Sequence, residues 1–425
     1  MISVLKSFKW ILKMVRDVKM SSKPFQERPQ KNNYDIVIIG GAIMGSATAW
    51  FLSKNIDFDG SILIVEKDPT YQFSSTARTN SCIRQQFSRE LNIRISQYTA
   101  QFVRNFQEHL EDDRVPKLSI QNYGYMYMAD TEDKAKSLRN VQKTQLKAGA
   151  DTRLMSPDEI KSKYPFYNVK DIFLGSINTV DEGYWDGGTV FDWLRRSAID
   201  KGVEYISNEV VGINKNSKGN GVEAVRLKSG EVINCGAVVN AAGPRASKIS
   251  EMIDLRIPVE PRKRYTWVFS AECPLDIDLP LTIDPSGIHV RQDGPDTYLA
   301  GSKGFIDDPV NFDDFSFEKD LWEEYVWPKI ANRIPAFEAI KVKSEWVGHY
   351  AYNTLDQNAI IGPHPIISNF MFINGFSGHG LQQAPAMGRG ISELLIYGKY
   401  QNLDLSPFGY DRILNGIPFL EEAII

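Results

Sequence analysis

The segment Gly40-Gly41-Ala42-Ile43-Met44-Gly45 follows the apolar run 34–39, and Glu66 stands 21 residues after Gly45, closing a second apolar run at 62–65. A strand, a tight glycine turn and a helix start leave backbone N–H groups facing outward, where the positive helix end holds a pyrophosphate. A carboxylate at that distance accepts hydrogen bonds from a ribose hydroxyl. The chemistry is dinucleotide binding, with Gly40, Gly41, Ala42, Ile43, Met44, Gly45, Glu66 and the adjacent Lys67 as its residues. Read as G-x-G-x-x-G, the three positions are Gly40, Ala42 and Gly45. The second normally lacks a side chain so that the backbone approaches the phosphates, and the Ala42 methyl weakens retention without excluding it. Glu66 suits the unphosphorylated ribose of NAD as well as that of FAD, so the turn alone leaves both open.

The elements that position these residues follow from periodicity. After the first β-α-β unit, 92–110 reads as an amphipathic helix and 124–129 as a strand. Ser156, Pro157 and Glu159 have the spacing of a capping box at a helix start. A helix is expected over 190–201, strands at 203–207 and 209–213, a hairpin from 222–228 and 231–235, and a separate apolar strand at 237–240. Between 256 and 345 the pattern becomes alternating and aromatic-rich with one helix near 317–330, as in an antiparallel sheet over a ligand. Parallel character returns at 358–361 and 370–373, before a turn at 375–380 and a helix over 382–397.

The whole chain sets bounds. Its 425 residues, 42% hydrophobic and 24% charged, suit about two domains, and a net charge of −4 excludes a nucleic-acid binder. Residues 1–31 carry eight Lys or Arg against Asp17 and Glu27. There, Leu5, Phe8, Leu12 and Val15 recur at helical spacing beside Lys6, Lys9, Lys13 and Arg16, which resembles a mitochondrial transit peptide or an interfacial helix; a disordered basic tail is the plain alternative. No stretch has the ~20 uncharged apolar residues that span a bilayer. Cys82, Cys235 and Cys273 are odd in number without a C-x-x-C pair, so neither a disulfide framework nor a metal site is expected.

The order of motifs resembles the D-amino-acid oxidase superfamily of FAD enzymes, which includes sarcosine oxidase, glycine oxidase and dimethylglycine dehydrogenase. The glycine turn with Glu66, and segments 74–87, 239–243 and 375–382, carry the resemblance. Segments 258–265, 356–365, 376–385 and 404–408 look especially like a mitochondrial branch of that superfamily serving assembly of respiratory complex I. The resemblance implies an α/β fold: a Rossmann-like FAD-binding domain with a mostly parallel, discontinuous sheet (34–90, 185–255 and 346–425), plus an α+β substrate or cap domain on an antiparallel sheet (91–184 and 256–345). Residues 1–33 remain as a basic N-terminal segment.

By that resemblance FAD is bound noncovalently, in the mitochondrial matrix or on the matrix face of the inner membrane. The implied partners are a small amine or amino-acid substrate and subunits or assembly factors of complex I, with peripheral membrane association. Ser75 and Thr76 are phosphate candidates, with helix capping as the competing reading. Val210 would meet adenine through its main chain, and Ala242 and Gly243 let the backbone approach the cofactor. Gly378, His379, Gly380 and Leu381 would direct main-chain donors to the flavin carbonyl.

A carboxylate substrate needs a cation, preferably a guanidinium; Arg84 is the first candidate and Arg291 the second, each with a structural salt bridge as the plain alternative. Tyr265, Trp267 and Tyr350 are candidates for an aromatic wall or for core packing. Gln382 stands where sarcosine oxidases carry a lysine that speeds reaction with oxygen, which implies slow oxygen reaction and another acceptor. His349 falls at the place of a covalent flavin cysteine, and Arg78 lies near the place of a covalent histidine in dimethylglycine dehydrogenases. A metabolic dehydrogenase of N-methyl or secondary amino acids is the alternative to the assembly role.

Overall fold

The computed structural model describes residues 25–422; the basic stripe at residues 5–16 lies outside them. Strand Asn33–Ile39, helix Ile43–Lys54 and strand Ile62–Glu66 form the opening unit, the two strands parallel with Ile36 opposite Ile62. Strand Asn33–Ile39 is apolar at nearly every position because both of its faces are covered. Ile36 and Ile38 enter a core with helices Ile43–Lys54, Gly187–Asp200 and Gly380–Tyr397, whereas Val37 and Ile39 enter a second core on the opposite face. The segment from Phe25 is tied to this sheet through Gln26, which bridges to Ile206.

The first sheet runs Ile360–Pro363, Phe370–Asn374, Val232–Asn240, Asn33–Ile39, Ile62–Glu66, Glu204–Ser207, with Val222–Leu227 and Val210–Lys215 extending from Val232–Asn240. Four expectations are corrected here. The strands expected at 231–235 and 237–240 are one strand, Val232–Asn240, whose first half pairs antiparallel in the hairpin and whose length pairs parallel with Asn33–Ile39. Ile360–Pro363 runs antiparallel to Phe370–Asn374, since six intervening residues are too few for a parallel crossover. The helix expected at 92–110 breaks at Asn105 into Glu90–Arg104 and Phe106–Leu110, and the one near 317–330 is a π turn, Trp322–Val326, continuing into Trp327–Arg333.

The second sheet runs Ile340–Asn353, Val259–Ala271, Thr297–Ser302, His289–Gln292, Leu281–Ile283, Tyr125–Ala129, Leu174–Asn178, Arg153–Met155. It is antiparallel except where Leu281–Ile283 meets Tyr125–Ala129. Trp267 and Phe269 face a core built with Val326, Ile330 and Phe337, and the opposite face turns to the first sheet. Strand Ile340–Asn353 spans the expected boundary at 346 and carries the second sheet to the C-terminal turn. There Ser377 N–H donates to the Ala351 carbonyl and Asn353 N–H to Ser377 Oγ, each at 2.9 Å.

Candidate functional site

A cavity of about 760 Å³ runs from the glycine turn to the second sheet. At its first end Gly40 has φ +100°, and a Cβ there would stand 2.5 Å from the Ala241 carbonyl oxygen. Gly45 is not on the cavity wall. It lies beneath the turn, where a Cβ would run into the Gly40 carbonyl, so its role is to let helix and strand approach. Ala42 is the N-cap of helix Ile43–Lys54 without a side-chain cap. No cap comes from Ala42 itself, and the positive end of this helix lies at the cavity wall.

Glu66 reaches this turn: its Oε2 accepts the Gly41 N–H at 2.8 Å and its Oε1 the Asp68 N–H at 2.8 Å. Burial raises its pKa, opposed by those donors. The hydroxyls of Ser75 and Thr76 make protein contacts: Ser75 Oγ donates to the His349 carbonyl at 2.6 Å, and Thr76 Oγ1 accepts the Ile43 N–H at 3.3 Å. Thr76 thus caps the fingerprint helix from outside. Ile43, Met44, Val210, Ala242 and Gly243 line the same end, as does Lys67, which pairs with Glu209 at 2.9 Å.

At the far end, helix Gly380–Tyr397 opens beneath the turn of Gly378 and His379. Gly378 has φ +96°, and a Cβ would stand 2.5 Å from the Tyr350 ring. His379 is buried against Phe87, and burial together with Arg84 lowers its pKa well below the usual histidine value. Gly380, Leu381 and Gln382 also line the wall, and Gln382 Oε1 accepts the Arg84 backbone N–H at 2.9 Å.

The expected cation candidates separate here. Arg84 reaches the wall, but its Nη1 donates to the Gln86 carbonyl, its Nη2 to His379 Nε2 at 3.0 Å, and its guanidinium lies 3.9 Å from the Phe87 ring centre. Arg291 is not on the wall; it pairs with Asp293 at 3.0 Å and lies over Tyr184. Of the aromatic candidates, Tyr350 lines the cavity; Tyr265 touches its wall but stacks on Trp267 at 6.0 Å, and both belong to the core behind the sheet. His349 is also on the wall, stacked on Phe315 at 4.1 Å, with Nε2 donating to the Asp314 carbonyl at 2.7 Å.

Periodicity gave no sign of Asn80, Arg264, Thr266 and His289, which complete the far wall. They meet through the register of the second sheet, and the polar positions of its alternating strands were the available signal. Arg264 forms a two-point pair with Asp307, at 2.7 and 3.2 Å, and stacks on Tyr350 at 4.5 Å. Phe312, Asp313 and Phe315, from the irregular segment 303–321, close the cavity from outside.

A parallel sheet with its glycine turn at one end, and an antiparallel sheet walling the other, define the class of enzymes whose dinucleotide bears the reacting ring. The chain belongs to the FAD dependent oxidoreductase (DAO) family, which it matches over residues 35–394. It is 36% identical to FAD-dependent oxidoreductase domain-containing protein 1 of Xenopus laevis over 92% of this chain and 85% of that protein. It is 24% identical to mitochondrial sarcosine dehydrogenase of Mus musculus over 88% of this chain and 40% of that protein. Among solved structures, L-proline dehydrogenase from P. horikoshii aligns with a TM-score of 0.77 and 25% identity, covering 93% of this chain and 99% of that one. FAD is the cofactor, and the residues fit it: the Gly40 cradle, the helix start at Ala42 and Ile43, Glu66 and the Gly378 turn occupy one continuous cavity.

Proposed function

We propose that this chain is a mitochondrial flavoenzyme of the D-amino-acid oxidase and sarcosine dehydrogenase type, oxidising a C–N bond of a small amine or amino acid and serving assembly of respiratory complex I. The single cavity that joins the dinucleotide turn to the polar wall of the second sheet carries the amine-oxidoreductase reading. FAD, when bound, takes two electrons and a hydrogen from the carbon beside nitrogen, which leaves a C=N bond in the substrate. The protein contributes position and charge. Gly378, His379, Gly380 and Leu381 hold the ring end through main-chain groups, and His379 is a neutral spacer whose Nε2 already accepts from Arg84. Tyr350 and the far wall exclude water from the reacting carbon.

FAD is held without a covalent bond. His349 Nε2 is engaged with the Asp314 carbonyl, and Arg78 Nε with the Gln72 carbonyl. Acid precipitation should therefore release the yellow chromophore into solution; colour retained in the pellet would overturn this. Anaerobic mixing with a panel of N-methyl and secondary amino acids, followed in the flavin band, tests the enzymatic reading. Bleaching by one class supports it, and a band unmoved by every amine would overturn it.

The basic stripe at residues 5–16 and the mitochondrial sarcosine dehydrogenase relative support residence in the matrix or on the matrix face of the inner membrane. No helix among the described residues is long and apolar enough to cross a membrane; the basic stripe supports a peripheral association with the membrane. The partners are then complex I subunits or assembly factors. Loss of the protein with unchanged complex I would overturn the assembly role. It would leave the second reading, a metabolic dehydrogenase, which the likeness to L-proline dehydrogenase favours.

A further inference from the structure

The N-cap of helix Glu90–Arg104 is Arg89, whose own side chain makes no capping bond. The cap arrives from 332 positions away. Glu421, 1% exposed, accepts the Ser88 N–H through Oε1 at 2.7 Å, and through Oε2 the Arg89 N–H at 3.2 Å and Asn92 Nδ2 at 2.9 Å. Three donors at the positive end of a helix call for a group that only accepts, which an ionised carboxylate is. The segment that carries it is held in turn. Phe419 N–H donates to Asp356 Oδ2 at 2.9 Å, the oxygen that also meets Arg412 Nε at 2.6 Å, and Arg89 Nε donates to the Leu420 carbonyl at 2.7 Å.

From Glu421 two routes lead to the Gly378-His379 turn. Phe87 directly precedes Ser88, and its ring meets the His379 ring edge-on at 5.1 Å and the Arg84 guanidinium at 3.9 Å. Asn92 supplies the other route: its Oδ1 accepts from Gln383 Nε2 at 3.2 Å, and the Gln383 N–H donates to the His379 carbonyl at 3.2 Å. Both routes run behind the cavity. Phe87, Asn92, Gln383 and Glu421 are not on its wall, whereas His379, Gly380 and Leu381 are.

We propose that Glu421 is a positioning residue for the cofactor site: by fixing Ser88 and Asn92 it sets the His379 turn, although no residue of 419–422 lines the cavity. This rests on the reading under which the ring end of FAD lies at that turn. Glutamine in place of Glu421 would aim a donor either at Ser88 or at Arg89 and Asn92, whichever way its amide points. Buried donors that lose their acceptor force the main chain to shift or water to enter.

The test compares FAD-loaded variants by their visible flavin band and FAD dissociation constant. Glu421→Gln should shift the band and raise the dissociation constant about fivefold or more. Glu421→Asp, which keeps an acceptor-only group, should recover part of both. Phe337→Leu, in the core behind the second sheet, reports lost stability alone: a lower melting temperature with an unmoved band. Gln383→Leu cuts the second route without touching the helix end and should move the band as well, so it decides the matter if Glu421→Gln fails to fold. Should Glu421→Gln and Gln383→Leu change only the melting temperature while Gly378→Ala shifts the band, the positioning role alone is overturned. A band that Gly378→Ala also leaves unmoved overturns the placement of the ring end together with it.

Discussion

Arg84 donates from Nη2 to Nε2 of His379 across 3.0 Å, and because a guanidinium has no acceptor, the imidazole keeps its proton on Nδ1. The imidazole of the Gly378-His379 turn is therefore neutral and fixed in one tautomer by a residue from a segment 295 positions away.

Arg84→Met deprives the buried Gln86 carbonyl and the His379 ring nitrogen of their donor. We expect a loss of about 2–4 kcal/mol, read as a lower melting temperature of the FAD-loaded protein. Arg84→Lys should recover less than half of it, because an ammonium cannot reproduce the fork. Unchanged melting in the methionine variant would remove the positioning role.

Gly378→Ala combines a left-handed backbone, which costs a non-glycine residue about 1 kcal/mol, with a Cβ 2.5 Å from the Tyr350 ring. The variant should fold with an unchanged far-ultraviolet spectrum yet show a shifted flavin band and weaker FAD retention. Ala42→Gly should act in the opposite sense and slow FAD loss on dilution several-fold, since it restores close approach to the phosphates. Equal retention in all three proteins would contradict both expectations.

Gln382 presents a neutral amide whose oxygen is already engaged by the Arg84 N–H at 2.9 Å. It cannot stabilise the negative charge that develops on oxygen as the reduced flavin reacts. After photoreduction, stopped-flow mixing with air-saturated buffer should show slow reoxidation, and a quinone dye should accept electrons faster. Reoxidation by air that outruns the dye would sink this expectation.

Burial, aided by Arg291 and Arg264, lowers the His289 pKa from 6.5 to about 4. Between those values the unfolded chain binds a proton that the folded chain does not. Stability therefore falls as pH drops through this window and is indifferent to His289 above it. The loss reaches about 3 kcal/mol at its lower end. Denaturant titrations from pH 7 to pH 4 should show a flatter profile for His289→Asn than for the parent, with His379 contributing equally to both. Parallel profiles would count against a buried neutral His289.

What was legible in the sequence is what short-range chemistry dictates. The capping box forms with both bonds, Glu159 N–H to Ser156 Oγ and Ser156 N–H to Glu159 Oε2. The Ser229-Gly230 hairpin turn is found where its composition placed it, and Glu66 closes the second strand beside the glycine turn, accepting the Gly41 N–H. What stayed hidden depends on partners distant in the chain. Apolar content alone did not disclose that Val232–Asn240 is one strand, because its first half is largely exposed in the hairpin and only its second half is buried. Likewise, His289 becomes a wall residue only because Gly301 lies opposite it and Asn80, 209 positions earlier, meets its ring. Arg291, on the same strand two residues later, pairs with Asp293 instead of joining that wall.

The two bonds that join Ala351 and Asn353 to Ser377 tie the second sheet and the Gly378 turn into one corner. Opening the sheets like a clamshell would break that corner. The loop 303–320 grips the body through Asp307 on Arg264 and Arg262, Asp313 on Arg245 and Asp314 on Lys263. Of its ion pairs, those of Asp313 and Asp314 are the more exposed and are loosened by salt, so exchange past this loop is expected to quicken as ionic strength rises while the corner behind it stays fixed.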